Sequence, residues 1–263
     1  MCETNLGGQV VHYVDEGTGD VLLILPDHLH AARAYEQEIA HFSDRYRVVC
    51  LDYPGTGRSV RQLKHQDERE YDLWNYHADL ACHLLMDLHI EACYVMGTGF
   101  GALAALHFAG KQAQLHGISV LGAVADSFLS DLDPQTLHRA LDKREHYYVR
   151  RVAWLERQHG SDWREVVDAD TRFLRRMADR GGYAVPEGVL KGITAPVLLT
   201  GNVRDDVVPG VARDFARLAA LIPDCGVFLV GQSGDRYGEQ HPLVRTSPVA
   251  FRHAVDCFLS DRV

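Results

Sequence analysis

Residues 95–102 read Val95-Met96-Gly97-Thr98-Gly99-Phe100-Gly101-Ala102, an apolar strand end that passes through three alternating glycines into a run of small residues. Glycine enters strained turns at little cost and lets backbone approach backbone closely. The stretch therefore predicts a strand that turns sharply into a helix lying tight on its own sheet. The chain on either side agrees: apolar runs of strand length alternate with helix-period segments, the pattern of a parallel sheet covered by helices.

Residues 9–14 alternate as a short strand, Asp15-Glu16-Gly17-Thr18-Gly19-Asp20 is a dense turn, and residues 21–25 are continuously apolar, so a hairpin is expected to open the fold. Residues 31–42 are helical in character and residues 46–51 form the next strand, which makes 21–25 and 46–51 a parallel pair. A helix is expected over 72–88, where Leu73, Tyr76, Leu80, Leu84 and Leu88 recur at spacings of three or four. Strand 92–96, helix 100–109 and strand 117–124, ending near Asp126, follow. The alternation then breaks. Residues 127–191 hold no good strand, only helical stretches at 134–158 and 163–179, closed by Gly181-Gly182 and Pro186. The sheet resumes at 195–200, ends with strand 226–230, and is followed by a helix after the N-cap and N1 pair Ser247-Pro248. The expected architecture is a mostly parallel, doubly wound α/β core of residues 1–126 and 192–263. Residues 127–191 are inserted as a helical cap over the carboxyl ends of the strands, where open α/β sheets bind ligands.

The 263 residues suit one large domain, and the formal net charge of -9 argues against nucleic acid or an acidic membrane as partner. Arginines within 139–180 alternate with acids and read as solvated helix faces. Six cysteines are scattered without C-x-x-C or metal spacing. Cys50, Cys93 and Cys225 fall in or beside apolar strands, where a reduced thiol packs as a small hydrophobe, so a cytoplasmic location is expected. The first residues lack the basic and apolar regions of a signal peptide, and no apolar segment approaches the roughly 20 residues needed to span a bilayer. Neither a dinucleotide fingerprint nor a P-loop is present, so no NAD, FAD, ATP or metal is expected. A small apolar organic molecule is the expected partner, and the oligomeric state is open.

The turn at 97–101 is the setting of a G-x-S-x-G nucleophile elbow, and Gly99 stands where the serine would. A hydrogen side chain cannot form an acyl-enzyme. Thr98 is the nearest hydroxyl, but it occupies the variable position of the motif and is expected to point elsewhere.

Together these segments resemble the α/β-hydrolase superfamily, in the branch of small capped enzymes that includes epoxide hydrolases, C–C bond hydrolases, haloperoxidase-like esterases and hydroxynitrile lyases. The resemblance covers nearly the whole chain. It rests on strand 21–25, on Asp52-Tyr53-Pro54-Gly55-Thr56-Gly57-Arg58-Ser59 as the family's D-x-P-G-x-G-x-S turn, on the elbow, and on two later loops. It implies that the acid lies in Gly201-Asn202-Val203-Arg204-Asp205-Asp206-Val207-Val208-Pro209, at Asp205, with Asp206 as the alternative one register step away. It implies that the histidine is His241, about seven residues ahead of Pro248. It also implies that the Phe100 amide is an oxyanion donor, with Leu29 or a neighbour as the second. The loop after the first parallel strand departs from the family's His-Gly and reads Leu25-Pro26-Asp27-His28-Leu29-His30. Asp27 there would oppose a developing negative charge; holding a cation, orienting a hydroxyl or acting as a second acid are its functional readings. A polar surface loop is the plainer reading for Asp27, His28 and His30. Asp126 is either a pocket carboxylate or a capping residue. Tyr147, Tyr148, Trp154, Trp163, Phe173 and Tyr183 either line an apolar pocket or pack the cap.

Asp205 would fix the tautomer of His241, leaving the other imidazole nitrogen to move a proton. The missing hydroxymethyl at Gly99 would leave room for a water or a substrate atom within reach of that histidine. Three readings follow: a serine-independent enzyme catalysing cyclisation, elimination, isomerisation or water addition, of which a biosynthetic cyclase or lyase is the specific expectation; a noncatalytic ligand-binding relative; and a serine hydrolase whose nucleophile was replaced by Gly99.

Overall fold

The computed structural model describes residues 2–61, 73–111, 117–231 and 240–260, with only the backbone of 145–147. Strands β1 (Cys2–Leu6) and β2 (Gln9–Glu16) form an antiparallel hairpin. Strand β3 (Val21–Leu25), a 3-10 turn over Ala32–Tyr35, helix α1 (Glu36–Phe42) and strand β4 (Arg47–Leu51) make the first parallel unit. Helix α2 (Leu73–Asp87), strand β5 (Ala92–Thr98), helix α3 (Phe100–Gly110) and strand β6 (Ser119–Asp126) continue it. Next come the short strand β7 (Asp131–Leu132), helices α4 (Pro134–Val149), α5 (Val152–His159) and α6 (Trp163–Asp179), strand β8 (Tyr183–Ala184) and helix α7 (Glu187–Lys191). Strand β9 (Val197–Asn202), helix α8 (Val211–Leu221), strand β10 (Cys225–Val230) and helices α9 (Leu243–Thr246) and α10 (Pro248–Ser260) complete the described fold.

The main sheet runs β1-β2-β4-β3-β5-β6-β9-β10, parallel from β4 to β10. Its two cores follow from the strand period, which sends successive side chains to opposite faces. Leu23, Leu25, Val49, Val95 and Ala123 pack against Trp74 of α2, Leu103 of α3 and Phe215 of α8. Their neighbours Leu22, Ile24, Val48, Met96 and Val124 pack against Ile39 and Phe42 of α1 and Phe251 and Val255 of α10. Helix α3 is buried along its whole length from Gly101 to Ala109, so it carries no polar stripe.

Three expectations change. Residues 9–14 do not pair with 21–25: β2 pairs antiparallel with β4, as Tyr13 opposite Leu51 and Glu16 opposite Val48, and β4 separates it from β3. The reason is burial, since β3 is apolar on both faces and takes an interior place between β4 and β5. The segment 127–191 is not strand-free, because β7 and β8 pair as a two-stranded ribbon at its base. The helix expected over 134–158 is broken at Arg150 and Arg151, a bend that turns Leu155 into a separate small cluster with Leu29, Trp163, Val166 and Val167. Elements β1 and α8 were not foreseen. Among the described residues no helix is long and apolar enough to cross a membrane.

Candidate active site

The site is built from four loops at the carboxyl ends of parallel strands, those after β3, β5, β9 and β10. Between β5 and α3 the backbone turns at Gly99 with φ 54° and ψ -124°. The flanking glycines are required by contact: a Cβ on Gly97 would lie 2.1 Å from the Gly101 carbonyl oxygen, and one on Gly101 would lie 2.2 Å from that of Leu25. At Gly99 the contact is of a different kind. A Cβ there would lie 2.3 Å from Oδ1, 2.4 Å from Cγ and 2.5 Å from Oδ2 of Asp27.

A carboxylate from the loop after β3 thus fills the place expected to be open. Asp27 Oδ1 accepts from the Phe100 amide at 2.8 Å and from the His28 amide at 2.7 Å. The Phe100 donor is therefore present but engaged, and the second amide on the same oxygen is that of His28, the neighbour of Leu29. Leu29 has a positive φ of 58°, its carbonyl accepts from His159 Nε2 at 3.0 Å, and it lines the cavity. The Asp27 amide in turn donates to Tyr35 Oη at 2.9 Å, which lies 2.5 Å from Thr98 Oγ1. Thr98 is wholly buried in that contact and faces away from the cavity. Burial pushes the Asp27 carboxyl up, against the opposing pull of His241, the two amides and His28.

On the facing side the expected pair is in place. Asp205 Oδ1 accepts from the amides of Val207 and Val208, both at 2.9 Å, and Oδ2 accepts from His241 Nδ1 at 2.8 Å. The Asp205 side chain is fully buried, while that of His241 is 13% exposed. Asp206 turns outward to Lys143, which settles the register. Burial alone would lower the His241 pKa. The Asp205 charge and hydrogen bond, helped by Asp27 and Asp126, raise it instead to about 9, so the resting imidazole is protonated at neutral pH.

Asp126 does not reach the cavity. It is wholly buried, accepts from Ser127 Oγ at 3.0 Å, Thr200 Oγ1 at 2.8 Å and the Val244 amide at 3.2 Å, and ties β6, β9 and α9 together. Burial raises it to about 7. Asp52, in the D-x-P-G-x-G-x-S turn, is likewise a brace, accepting from the amides of Ala32 at 2.7 Å and Arg58 at 2.9 Å.

His28 lies against Asp170 of α6, whose other oxygen meets Arg144 of α4. Burial would raise Asp170, but Arg144 and the His28 contact hold it far below the usual carboxylate range. His30 is buried, edge-on to Trp154, and pushed well below the ordinary histidine value by burial and by Arg245. His159 of α5 accepts from the Gly57 amide at 2.9 Å with Nδ1 and donates to Leu29 with Nε2. Asp170, Arg144, Tyr35 and His159 were not singled out in the sequence, because their partners lie far away along the chain.

Residues of these loops and of the 127–191 segment line a cavity of about 490 Å³. Asp27, Gly99 and Phe100 form its floor, His241 one wall, and Leu137 and Tyr148 of α4 with Trp154 of α5 its roof. Of the other aromatics, Trp163 packs with Leu155, Phe173 joins the main core, and Tyr183 lies 4.1 Å from the Trp74 ring. The Tyr147 side chain is outside the described residues.

Residues 19–252 match the Alpha/beta hydrolase family. The uncharacterized hydrolase YugF of Bacillus subtilis (strain 168) is 23% identical over 266 residues, covering 91% of each chain. Among solved structures, the enol-lactonase from Burkholderia xenovorans LB400 superposes with a TM-score of 0.72 at 16% identity, over 98% of this chain and all of the other. The E-2-(acetamidomethylene)succinate hydrolase gives 0.71 at 17% identity over 98% of both. At these identities the structural likeness is one of fold.

Proposed function

The chain belongs to the alpha/beta hydrolase family, and on that premise we propose that it is an enzyme which moves protons with the His241–Asp205 pair instead of acylating a serine. One observation carries this reading: the Asp27 carboxylate stands in the nucleophile's place and holds the Phe100 amide, while the acid and histidine opposite remain paired. Acyl transfer needs a side-chain nucleophile and free donors for the oxyanion. Position 99 has no side chain to be acylated, and the Phe100 amide is already engaged by Asp27.

Asp205 fixes the Nδ1–H tautomer, so Nε2 is the nitrogen that exchanges a proton with a bound molecule. Because His241 rests as the cation, its first act is to donate. The helical segment 127–191 serves as a cap that keeps water away from a small, largely apolar substrate. Cyclisation, elimination, isomerisation and water addition all need only this proton traffic, and a biosynthetic cyclase or lyase is the specific assignment. The test is turnover of a panel of small hydroxy-ketones by the wild type and His241→Ala. A loss of about 10²- to 10⁴-fold is expected, and unchanged turnover by His241→Ala overturns the mechanism.

The filled nucleophile place also favours a second reading, a ligand-binding protein without turnover, since an engaged Phe100 amide suits a retired site equally well. Prolonged incubation separates the two: a ligand recovered unchanged supports binding, and a transformed one supports catalysis. A lost serine is disfavoured, because a side chain at position 99 meets Asp27.

A further inference from the structure

Asp27 has the marks of a group placed to react. It is reached from the β3 loop, 73 residues before the Phe100 amide that it binds, and its position is fixed from three sides. The Phe100 and His28 amides hold Oδ1, and Tyr35 holds the backbone of Asp27 itself. Oδ1 is thus anchored, and Oδ2 carries no hydrogen bond from another residue of the described chain. Asp27 and His241 line the same cavity, and each feels the charge of the other.

We propose that Asp27 is a catalytic residue, the general base that takes a proton from the substrate while His241 gives one to a substrate oxygen. This rests on the proton-transfer reading above and adds the second reacting group to it. The same geometry narrows the substrate class. Because Asp27 occupies the amide donors, an alkoxide formed over Gly99 would find a carboxylate instead of N–H groups, so charge on a substrate oxygen must be met by a proton as it develops. That selects eliminations in which oxygen leaves protonated, such as loss of water from a small β-hydroxy carbonyl compound.

The step balances. Asp27 Oδ2 takes the C–H proton next to the carbonyl, the C–H electron pair becomes the new C=C bond, and the C–O bond to the β-hydroxyl breaks. The departing oxygen takes the His241 proton and leaves as water. Asp27 is then a carboxylic acid and His241 neutral, and passage of one proton from the first to the second restores the resting pair. Burial strengthens this base, since it pushes the Asp27 carboxyl up.

The probe is 5-nitrobenzisoxazole, whose ring opening tests the base half of the step: a base removes a C–H proton, the C≡N bond forms, the N–O bond breaks and the oxygen leaves as a stable nitrophenolate. Wild type at pH 7 is expected to open it at least about 100-fold faster than Asp27→Asn. In Asp27→Asn the NMR titration midpoint of the His241 imidazole is also expected to move downward, a readout independent of how well the probe fits. Three outcomes overturn the proposal: Asp27→Asn within threefold of wild type, an unmoved His241 midpoint, or a covalent adduct on Asp27. The earlier reading fails separately. If His241→Gln keeps full turnover of the hydroxy-ketone panel while Asp27→Asn loses it, the base stands and the dyad falls; the reverse pattern sinks Asp27 alone.

Discussion

The two sides of the cavity are built by opposite rules. On the β9 side, Asp205 is held by amides two and three residues further along its own loop and meets a histidine in the order expected along the chain. On the β5 side, the turn has the expected backbone, yet the group occupying it arrives from a different strand and from far away in sequence. A site is defined by the point in space where a functional atom stands, and a sequence motif reports only one way of putting an atom there.

The sharpest way to break this contrast is to rebuild the conventional arrangement. Gly99→Ser alone is expected to gain no hydrolysis of 4-nitrophenyl acetate, because Asp27 holds both the space and the Phe100 amide. Adding Asp27→Gly frees both, and the double variant is expected to exceed the single one by about 1000-fold. Equal rates would mean that the carboxylate does not control the elbow. On the other side, Asp205→Asn should reduce turnover of the hydroxy-ketone panel by about 100-fold, through loss of the imidazole's orientation and charge partner; steady-state rates check this.

The pH dependence of stability reads the β9 side alone. His241 titrates near 9 in the folded protein against an ordinary value of about 6.5. A raised folded value means that the pair stabilises fully below pH 6.5, and this contribution is lost as pH rises through 9. The unfolding free energy from chemical denaturation should therefore decline across that window, by on the order of 1–3 kcal/mol, and His241→Gln should flatten the curve. Gly99→Ala should cost about 1–2 kcal/mol by chemical denaturation, since it combines a positive φ with a collision against Asp27. The smallest effect belongs to Asp206→Asn: its exposed pair with Lys143 is worth less than about 1 kcal/mol, and turnover should stay within twofold.

Much of the fold was legible because strand period and burial are local. The run 21–25 matches β3 residue for residue, and the glycines at 97 and 101 predicted the tight approach that the Leu25 and Gly101 carbonyls impose. Pairing order was less legible: nothing in residues 9–25 shows that β4 will slip between β2 and β3. In the site, Asp205 and His241 were found through chain order, and the structure brings them together. Asp126 stayed between two readings because a carboxylate at a strand end looks the same whether it faces the cavity or, as here, is spent on Ser127, Thr200 and Val244. Asp27 was noticed but its destination was not, since its spacing to Gly99 encodes no contact.

His159 gives the molecule a latch with two hooks. Its ring seizes the Gly57 amide with one nitrogen and the Leu29 carbonyl with the other, so helix α5 is fastened at once to the Asp52 turn and to the loop that carries Asp27. Burial lowers this imidazole to about 4, which keeps it neutral, and both hooks engaged, through the ordinary pH range. Any tilt of that helix to admit a molecule must drag on the same loop, so entry to the chamber and aim of the carboxylate are mechanically one adjustment.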